Sequence, residues 1–255
     1  MGGVKKDAKR RTANILIMNA SELKKAIFQV AGSIGSLMFP RCCGMCGNRL
    51  HNHEKQVCTV CLRGIPRTNY HLKKDNALEM LFWGRMPIEK ATALMFYNGE
   101  KTRTAVHRLK YFDNPYIGEY LAEVMADEIK DSGFFDDIDC IVPVPLSRRK
   151  HMSRGYNQSL WIAKGIRRIT GIEITDNAVR RVVDNKTQTR MRHAERWDNV
   201  ENIFRLTKPE LITGKHVLIV DDVVTTGSTV ISLGNELLKA GNVRLSVASL
   251  GTALQ

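Results

Sequence analysis

The chain has 255 residues, of which 43% are hydrophobic and 25% charged, values typical of a globular protein with a sizeable core. No apolar stretch reaches the roughly 20 residues that span a bilayer, so the sequence predicts no transmembrane segment. Four of the six cysteines form two Cys-x-x-Cys pairs, which indicates metal binding in a reducing compartment rather than a disulfide scaffold. The basic start is not followed by a long uncharged apolar segment, so we expect no secretory signal there.

The formal net charge is +13, and the excess lies mainly in two regions. Residues 1–65 carry 11 basic and 3 acidic side chains, and residues 136–170 carry 7 basic and 3 acidic ones. Such patches attract polyanions, either nucleic acid or phosphorylated small molecules. The alternative interpretation is solvated surface, with a disordered tail in the first region.

In chain order, the sequence first predicts a flexible basic tail over residues 1–20. A helix is then expected from Ser21, because apolar residues recur at helical spacing until Phe39-Pro40 ends the pattern. Its apolar stripe would pack against the body of the protein, and a dimer contact or a membrane-surface contact is the alternative. Together with the cysteines, this helix forms a predicted unit of residues 21–66.

The two cysteine pairs predict a structural zinc site. Cys43-x2-Cys46 and Cys58-x2-Cys61 are separated by 11 residues. Four thiolates complete the closed tetrahedral shell of structural zinc, which leaves no open position for catalysis. A redox role is less favoured, because a thioredoxin-type motif would be a single pair that opens a helix.

Neighbouring histidines and the two remaining cysteines need separate interpretations. His51 and His53 lie between the pairs and could replace a ligand. Cys42 makes the register of the first pair ambiguous, although only Cys43 gives the two-residue spacing. Cys140 falls within a predicted strand and is expected to be a buried apolar residue.

Residues 67–90 are interpreted as an irregular, charged connector or a possible hood over an acceptor. From Ala91 onward strands alternate with helices, which predicts a mostly parallel α/β sheet flanked by helices over residues 91–255. The predicted strands are 91–97, 138–143, 178–183, 217–220 and 244–250. The predicted helices are 100–112, 116–132, 156–170 and a last one that ends near Ala240, before Gly241.

A phosphate-binding segment is predicted after the apolar run 217–220, which is typical of a strand buried on both faces. Asp221 and Asp222 follow this strand, and a loop of small hydroxyl residues then leads into a helix. Backbone N–H groups at the start of a helix can bind a phosphate. Carboxylates repel phosphate, so the pair needs hydroxyls or a cation instead. The segment therefore predicts a ligand with a phosphate on one side and a sugar diol on the other, and a Ser/Thr-rich helix cap is the alternative.

At these residues the sequence resembles the type I phosphoribosyltransferases. Their signature for 5-phosphoribosyl-1-pyrophosphate (PRPP) is four apolar residues, two acidic residues and a Thr/Gly-rich loop. The resemblance implies that Asp221 and Asp222 contact the ribose 2- and 3-hydroxyls. It also implies that the 5-phosphate is held by Thr225, Thr226, Gly227, Ser228 and Thr229.

Further segments narrow this resemblance. They are Ile141 to Arg149, Arg154-Gly155-Tyr156-Asn157-Gln158, Leu109-Lys110-Tyr111, and a four-cysteine module after Leu37-Met38-Phe39-Pro40. Together they resemble the ComF family of competence-associated proteins, in which an N-terminal zinc module is joined to a phosphoribosyltransferase domain. The resemblance covers about residues 21–252 and implies an association with DNA uptake in natural competence.

The family fold implies two further parts of the site. The loop after the strand at 138–143 would face the pyrophosphate, and its candidate residues are Arg148, Arg149, Lys150, Arg154 and Gly155. Arg154 joins Asp221 and Asp222 as a candidate catalytic residue. The stretch 185–202 resembles the flexible lid of these enzymes, with Lys186, Gln188 and Arg190 as lid candidates. The alternative for the first segment is a solvated basic loop, and the alternative for the stretch 185–202 is a disordered surface loop.

The resemblance thus implies a Mg²⁺-dependent phosphoribosyltransferase that uses PRPP with an unidentified acceptor. The alternative is a non-catalytic PRPP-sensing module, or one that associates with single-stranded DNA and DNA-uptake proteins. We expect a cytoplasmic protein, with the inner face of the membrane and a homodimer as further options. A hood with aromatic stacking residues would favour the enzyme, and Tyr70, Phe82 and Trp83 are the candidates.

Overall fold

The computed structural model describes residues 41–111, 114–183 and 203–254. The chain divides into two compact units, Met1–Cys42 and Cys43–Gln255. Almost all of the first unit, including the tail and helix predicted before Phe39, lies outside the described residues. The fold is therefore that of the second unit.

Seven strands lie in the described part of the chain, and five of them form one parallel sheet. The strands are β1 Lys90–Phe96, β2 Cys140–Pro143, β3 Glu173–Ile174, β4 Val179–Arg181, β5 Phe204–Leu206, β6 His216–Val224 and β7 Arg244–Thr252. The sheet has the order β1-β7-β6-β2-β3, and β4 pairs separately with β5 in an antiparallel ladder. The carboxyl ends of the five parallel strands meet at one edge, where α/β sheets bind ligands.

Seven α-helices accompany these strands in the same described residues. They are α1 Thr59–Arg63, α2 Ala77–Met80, α3 Glu100–Tyr111, α4 Tyr116–Ile129, α5 Arg148–Arg154, α6 Gln158–Thr170 and α7 Ser228–Leu238. Short 3-10 helices occupy Tyr70–Leu72, Lys130–Ser132 and Pro209–Leu211. Among these residues, no helix is long and apolar enough to cross a bilayer.

Strand β6 shows why the sheet is buried on both faces. Val217 and Ile219 belong to one apolar core, while Leu218 and Val220 belong to the other, and all four are 0% exposed. Successive side chains of a strand point to opposite faces, so a continuous apolar run fills both. The sequence-based prediction of a mostly parallel α/β sheet flanked by helices is confirmed.

Each face of the sheet has its own covering layer. On one face, α3, α4 and α6 share a core with apolar residues of the cysteine module. Helices α4 and α6 approach closely at Gly165, where an added Cβ would lie 2.2 Å from the carbonyl oxygen of Glu119. On the other face, α2 and α7 pack with the β4–β5 pair. The segment 67–90 therefore covers the face opposite the cysteine module, and its Leu78 and Phe82 are fully buried.

Two local predictions were wrong. The strand predicted over 217–220 continues to Val224, because β7 extends alongside it and pairs Val224 with Thr252. The basic loop predicted after β2 is the seven-residue helix α5. Its Ser147 cap accepts a hydrogen bond from the Lys150 N–H at 3.4 Å, and Gly155 closes it with φ +75°. Both capping residues were visible in the sequence, but α5 buries none of its residues and so has no apolar pattern.

Candidate ligand site and cysteine cluster

Asp221 and Asp222, which we call the acidic pair, lie inside β6 near its carboxyl end and are half-buried. The Asp222 N–H donates to Asp221 Oδ1 at 2.8 Å, and Ser159 Oγ on α6 donates to the same oxygen at 3.1 Å. Burial raises the pKa of Asp221 to about 7, and the neighbouring charge of Asp222 adds to the shift. The site therefore holds a carboxyl group that exchanges a proton near neutral pH.

The second carboxylate has a cation as its partner. Lys110 Nζ, at the end of α3, lies 3.1 Å from Asp222 Oδ2. Lys110 appeared in the sequence only within a short family segment, and Ser159 was not singled out. Neither residue has a sequence signal of its own. Both reach the acidic pair only because the fold brings α3 and α6 to the end of β6.

The predicted phosphate-binding residues Thr225–Thr229 form a turn and the first residues of α7, and we call them the phosphate loop. The side chains of Thr225, Thr226 and Ser228 are exposed. Thr226 Oγ1 and Ser228 Oγ are 3.0 Å apart. Backbone N–H groups of this loop lie at the start of an 11-residue helix, which is the arrangement that binds anions.

Gly227 has two structural reasons to be glycine. Its φ is +70°, a left-handed conformation that other residues adopt at a cost. An added Cβ would also lie 2.8 Å from Leu81 Cδ2, in the segment after α2. Arg85, in the same segment, donates from Nη1 to the carbonyl oxygen of Thr226 at 3.3 Å. Residues 81–85 therefore pack against the phosphate loop and donate a hydrogen bond to its backbone.

Helix α5 carries the basic residues that were expected to face a pyrophosphate. Arg148 and Arg149 are exposed, whereas Lys150 and Arg154 are half-buried. Burial lowers the pKa of Lys150, and the charges of Arg181, Arg154 and Lys110 lower it further, while Asp222 opposes the shift. The helix therefore brings positive charge into the electrostatic neighbourhood of the acidic pair.

A cavity of about 610 Å³ borders the start of α5. Its lining includes Ser147, Arg148, Asn157, Arg180 and Val183. The acidic pair and the phosphate loop are not among its lining residues. The lid candidates Lys186, Gln188 and Arg190 lie outside the described residues, so their prediction is not tested.

The four predicted zinc ligands come together in the fold. The sulfur atoms of Cys43, Cys46, Cys58 and Cys61 all lie within 4.8 Å of one another, and we call this group the cysteine cluster. Cys43 takes part, so the register ambiguity with Cys42 is settled. His51 and His53 are exposed and stack on each other, with ring centroids 6.0 Å apart.

Backbone N–H groups prepare one sulfur of the cluster for metal binding. The N–H of Cys58 points to Cys43 Sγ at 3.2 Å and that of Met45 at 3.4 Å. Burial raises the pKa of the Cys43 thiol, but backbone hydrogen bonds from Cys46, Cys58 and Met45 outweigh it and bring the value down to about 7. Burial raises the pKa of Cys61. The donor set and its spacing fit a tetrahedral thiolate metal ion.

Sequence reasoning missed Glu54, which organises the loop between the two pairs. Its carboxylate accepts the Thr59 N–H at 2.7 Å and the His51 N–H at 2.9 Å. These hydrogen bonds lower the pKa of Glu54 to about 2. Glu54 therefore joins the loop to the start of α1, which carries Cys61. An acidic residue among basic neighbours was the only sequence signal, and it is a weak one.

Three comparisons bear on this arrangement. The model of the phosphoribosyl transferase domain family matches residues 157–253, from the start of α6 through β7. DNA utilization protein YhgH of Escherichia coli (strain K12) is 31% identical over 208 residues, which cover 80% of this chain and 87% of that protein. Competence protein F of Haemophilus influenzae is 28% identical over 216 residues, covering 83% of this chain and 84% of that one.

Among solved structures, an adenine phosphoribosyltransferase is 20% identical with a TM-score of 0.35. That match covers 55% of this chain and 73% of that one.

Proposed function

Since this chain belongs to the family of DNA utilization protein YhgH and Competence protein F, with a phosphoribosyl transferase domain, we propose that it binds PRPP with Mg²⁺ at the carboxyl edge of its sheet. We further propose that it transfers the phosphoribosyl group to an acceptor. Such a reaction needs a phosphate pocket, acceptors for the ribose hydroxyls and cations for the leaving pyrophosphate.

One observation carries the proposal: the acidic pair and the phosphate loop follow one another on the same strand and turn. At about 3.3 Å per residue, the Cα atoms of Asp222 and Thr225 are roughly 10 Å apart along an extended chain. That spacing leaves room for a pentose between a carboxylate and a bound phosphate. In the proposal, Asp221 and Asp222 accept the ribose hydroxyls, and the phosphate loop holds the 5-phosphate.

The cations of α5 would face the pyrophosphate. As the bond to the anomeric carbon breaks, positive charge develops on the sugar and negative charge on the pyrophosphate. Arg148, Arg149, Lys150 and Arg154, followed by Gly155, supply fixed positive charge on that side, which stabilises the leaving group without reorganisation. The negative charge of the acidic pair stabilises the positive charge that develops on the sugar. The chain's contribution is therefore positioning and electrostatics.

The two metal ions have different roles in this proposal. Asp222 is already paired with Lys110, so Mg²⁺ would be held mainly by oxygens of PRPP rather than by the chain. Magnesium supplies charge neutralisation on the pyrophosphate. Zinc would be held by Cys43, Cys46, Cys58 and Cys61 as a structural ion.

The ribose assignment can be tested with three ligands. We expect Asp221→Asn and Asp222→Asn each to weaken PRPP and ribose 5-phosphate by on the order of 1.5–3 kcal/mol, because charge-assisted hydrogen bonds to the diol are lost. Inorganic phosphate lacks the diol and should bind about as before. Calorimetry measures all three. Equal losses for phosphate and ribose 5-phosphate would mean that the acidic pair only supports the loop.

Transfer itself is tested by pyrophosphate release. Nucleobases are screened with PRPP and Mg²⁺, and Asp222→Asn serves as the inactive control. Release that depends on one acceptor identifies the enzyme. If the protein binds PRPP but releases no pyrophosphate with any of the acceptors, the non-catalytic sensor is favoured instead. The fold offers little aromatic surface for an acceptor hood in 67–90, since Tyr70 and Phe82 are buried and Trp83 is 56% exposed.

A second candidate function is weak binding of single-stranded DNA, which the net charge of +13 and the names of the relatives favour. We expect affinity to fall steeply with salt, because phosphate contacts release counterions. Arg49→Gln with Arg63→Gln should weaken binding more than Lys239→Gln with Arg244→Gln. Fluorescence anisotropy at several salt concentrations measures this. Salt-independent binding, or none at low salt, would remove DNA as a direct partner.

The remaining proposals concern location and assembly. The clustered thiols suit a reducing compartment, so we propose that the protein acts in the cytoplasm, at the inner face of the membrane if it assists DNA uptake. Cell fractionation tests the first point. A homodimer stays a prediction that sedimentation would decide.

A further inference from the structure

The ion pair between Lys110 and Asp222 occupies a carboxylate that the proposed ligand needs. Lys110 Nζ lies 3.1 Å from Asp222 Oδ2, and the two side chains are 27% and 13% exposed. Lys110 is in the last turn of α3. Two hydrogen bonds hold the end of that helix: Tyr156 Oη donates to the carbonyl oxygen of Leu109, and Arg108 Nη1 donates to that of Cys43 at 2.7 Å. The ammonium is therefore positioned by the fold.

A ligand hydroxyl that binds Asp222 must share this carboxylate with Lys110 or displace it. Removing the counter-ion of a half-buried ammonium is unfavourable, because water replaces the carboxylate only in part. A ligand that brings its own negative charge beside the hydroxyls removes this cost. The pyrophosphate of PRPP, attached next to the 2-hydroxyl, is such a group, whereas ribose 5-phosphate has none at that position.

Other cations surround the same place. The positive charges of Lys110, Arg154 and Arg181 repel Lys150 on α5, and the negative charge of Asp222 attracts it. Asp222 thus interacts with lysines from two helices, by an ion pair with Lys110 of α3 and by a longer-range attraction to Lys150 of α5. Like charges converge in such a way only at a cost, which an anionic ligand between them would offset.

We infer that Lys110 determines ligand specificity by holding Asp222 before binding and pairing with the pyrophosphate afterwards. The inference rests on the proposed function and adds a discriminating residue to it. The site would then prefer a ribose phosphate with an anionic group at the anomeric carbon over one that has a hydroxyl there.

The test is the ratio of two dissociation constants, for PRPP and for ribose 5-phosphate, measured by calorimetry at one Mg²⁺ concentration. Lys110→Met should weaken PRPP by about 10-fold or more relative to ribose 5-phosphate, because only PRPP loses a charge-assisted contact. Lys110→Arg keeps the charge and should restore most of the ratio. Lys101→Met, an exposed residue of the same helix, is the matched control and should leave the ratio unchanged.

The outcomes separate the two proposals. If the unaltered protein binds neither ligand, the proposed function fails. If it binds both and Lys110→Met changes them equally, the proposed function stands and the role of Lys110 is refuted. A rise in the dissociation constant of PRPP relative to that of ribose 5-phosphate in Lys110→Met, which Lys110→Arg reverses, supports the inference. Thermal unfolding of each variant verifies that all are folded at the temperature of the titration.

Discussion

The cysteine cluster and the acidic pair both hold side chains that repel one another when ionised, but the chain stabilises them in different ways. In the cysteine cluster, the sulfurs of Cys43 and Cys58 accept backbone N–H groups, and the sulfurs of Cys46 and Cys58 are 3.8 Å apart. The acidic pair receives a lysine ammonium, a serine hydroxyl and, through the raised pKa of Asp221, a proton near neutral pH. One region contains a counter-charge from the chain, and the other leaves room for a metal ion.

This difference separates a structural site from a site for an exchangeable ligand. Four clustered thiolates gain most of their stability from a bound cation, so we expect that loss of the metal also unfolds the module. The acidic pair already has partners from the chain itself, Lys110 and Ser159. Its ligand must therefore compete with partners already present, which favours reversible binding.

The largest effect is expected from removing the metal. Cys58→Ser should abolish zinc binding, from about one ion per chain, and unfold the module, because metal binding supplies most of the stability of such small units. Hydrogen exchange should increase most over residues 43–63, while β6 and β7 stay protected. Elemental analysis measures the metal. Cys42→Ser, an exposed thiol next to the cluster, is the control and should keep the zinc.

Metal-free protein with an intact module would contradict the structural role of the metal. Protein purified without chelator that contains no metal, yet shows slow exchange over residues 43–63, would mean that packing against α4 holds the module. Such packing exists, because Gly44 lies so close to α4 that an added Cβ would be 2.6 Å from Ile117 Cδ1.

A smaller effect of opposite sign is expected at the acidic pair. Because the folded protein raises the pKa of Asp221 to about 7, it binds this proton more tightly than the unfolded chain, and stability falls as pH rises from about 4 to 7. Asp221→Asn keeps an acceptor for Ser159 and the Asp222 N–H, and removes the charge. It should stabilise the protein by roughly 1–3 kcal/mol at pH 8, with no gain at pH 4.

Urea unfolding at several pH values measures this difference. A variant that is less stable at pH 8 would show that the charge of Asp221 is favourable in the fold. The expected gain in stability with a loss of PRPP affinity is the pattern of a residue kept for function.

The sequence predicted the parts of the molecule whose chemistry is local. Two cysteine pairs at the right spacing, an apolar run before Asp221, and alternating strands and helices each carry their signal within a few residues. The cysteine cluster and the parallel sheet are therefore confirmed, as is the family.

The partners that complete these sites come from distant positions, and single-sequence reasoning could not find them. Lys110 and Ser159 reach the acidic pair only because α3 and α6 pack on the same face of the sheet. Arg85 reaches the phosphate loop across 141 residues of sequence. Helix α5 was missed for another reason: a seven-residue helix without a buried face shows only its caps.

The smallest effect is expected from the second residue of the acidic pair, Asp222. Asp222→Asn removes the partner of Lys110 and leaves a half-buried ammonium beside a neutral amide, so it should destabilise the protein where Asp221→Asn stabilises it. Both side chains keep some contact with water, so we expect a loss of roughly 1 kcal/mol. The double variant Asp222→Asn with Lys110→Met should recover part of this loss, since no unpaired charge remains. Urea unfolding at pH 8 measures all of these variants. A double variant less stable than the sum of the two single changes would show that Lys110 contributes through packing of its aliphatic stem rather than through its charge.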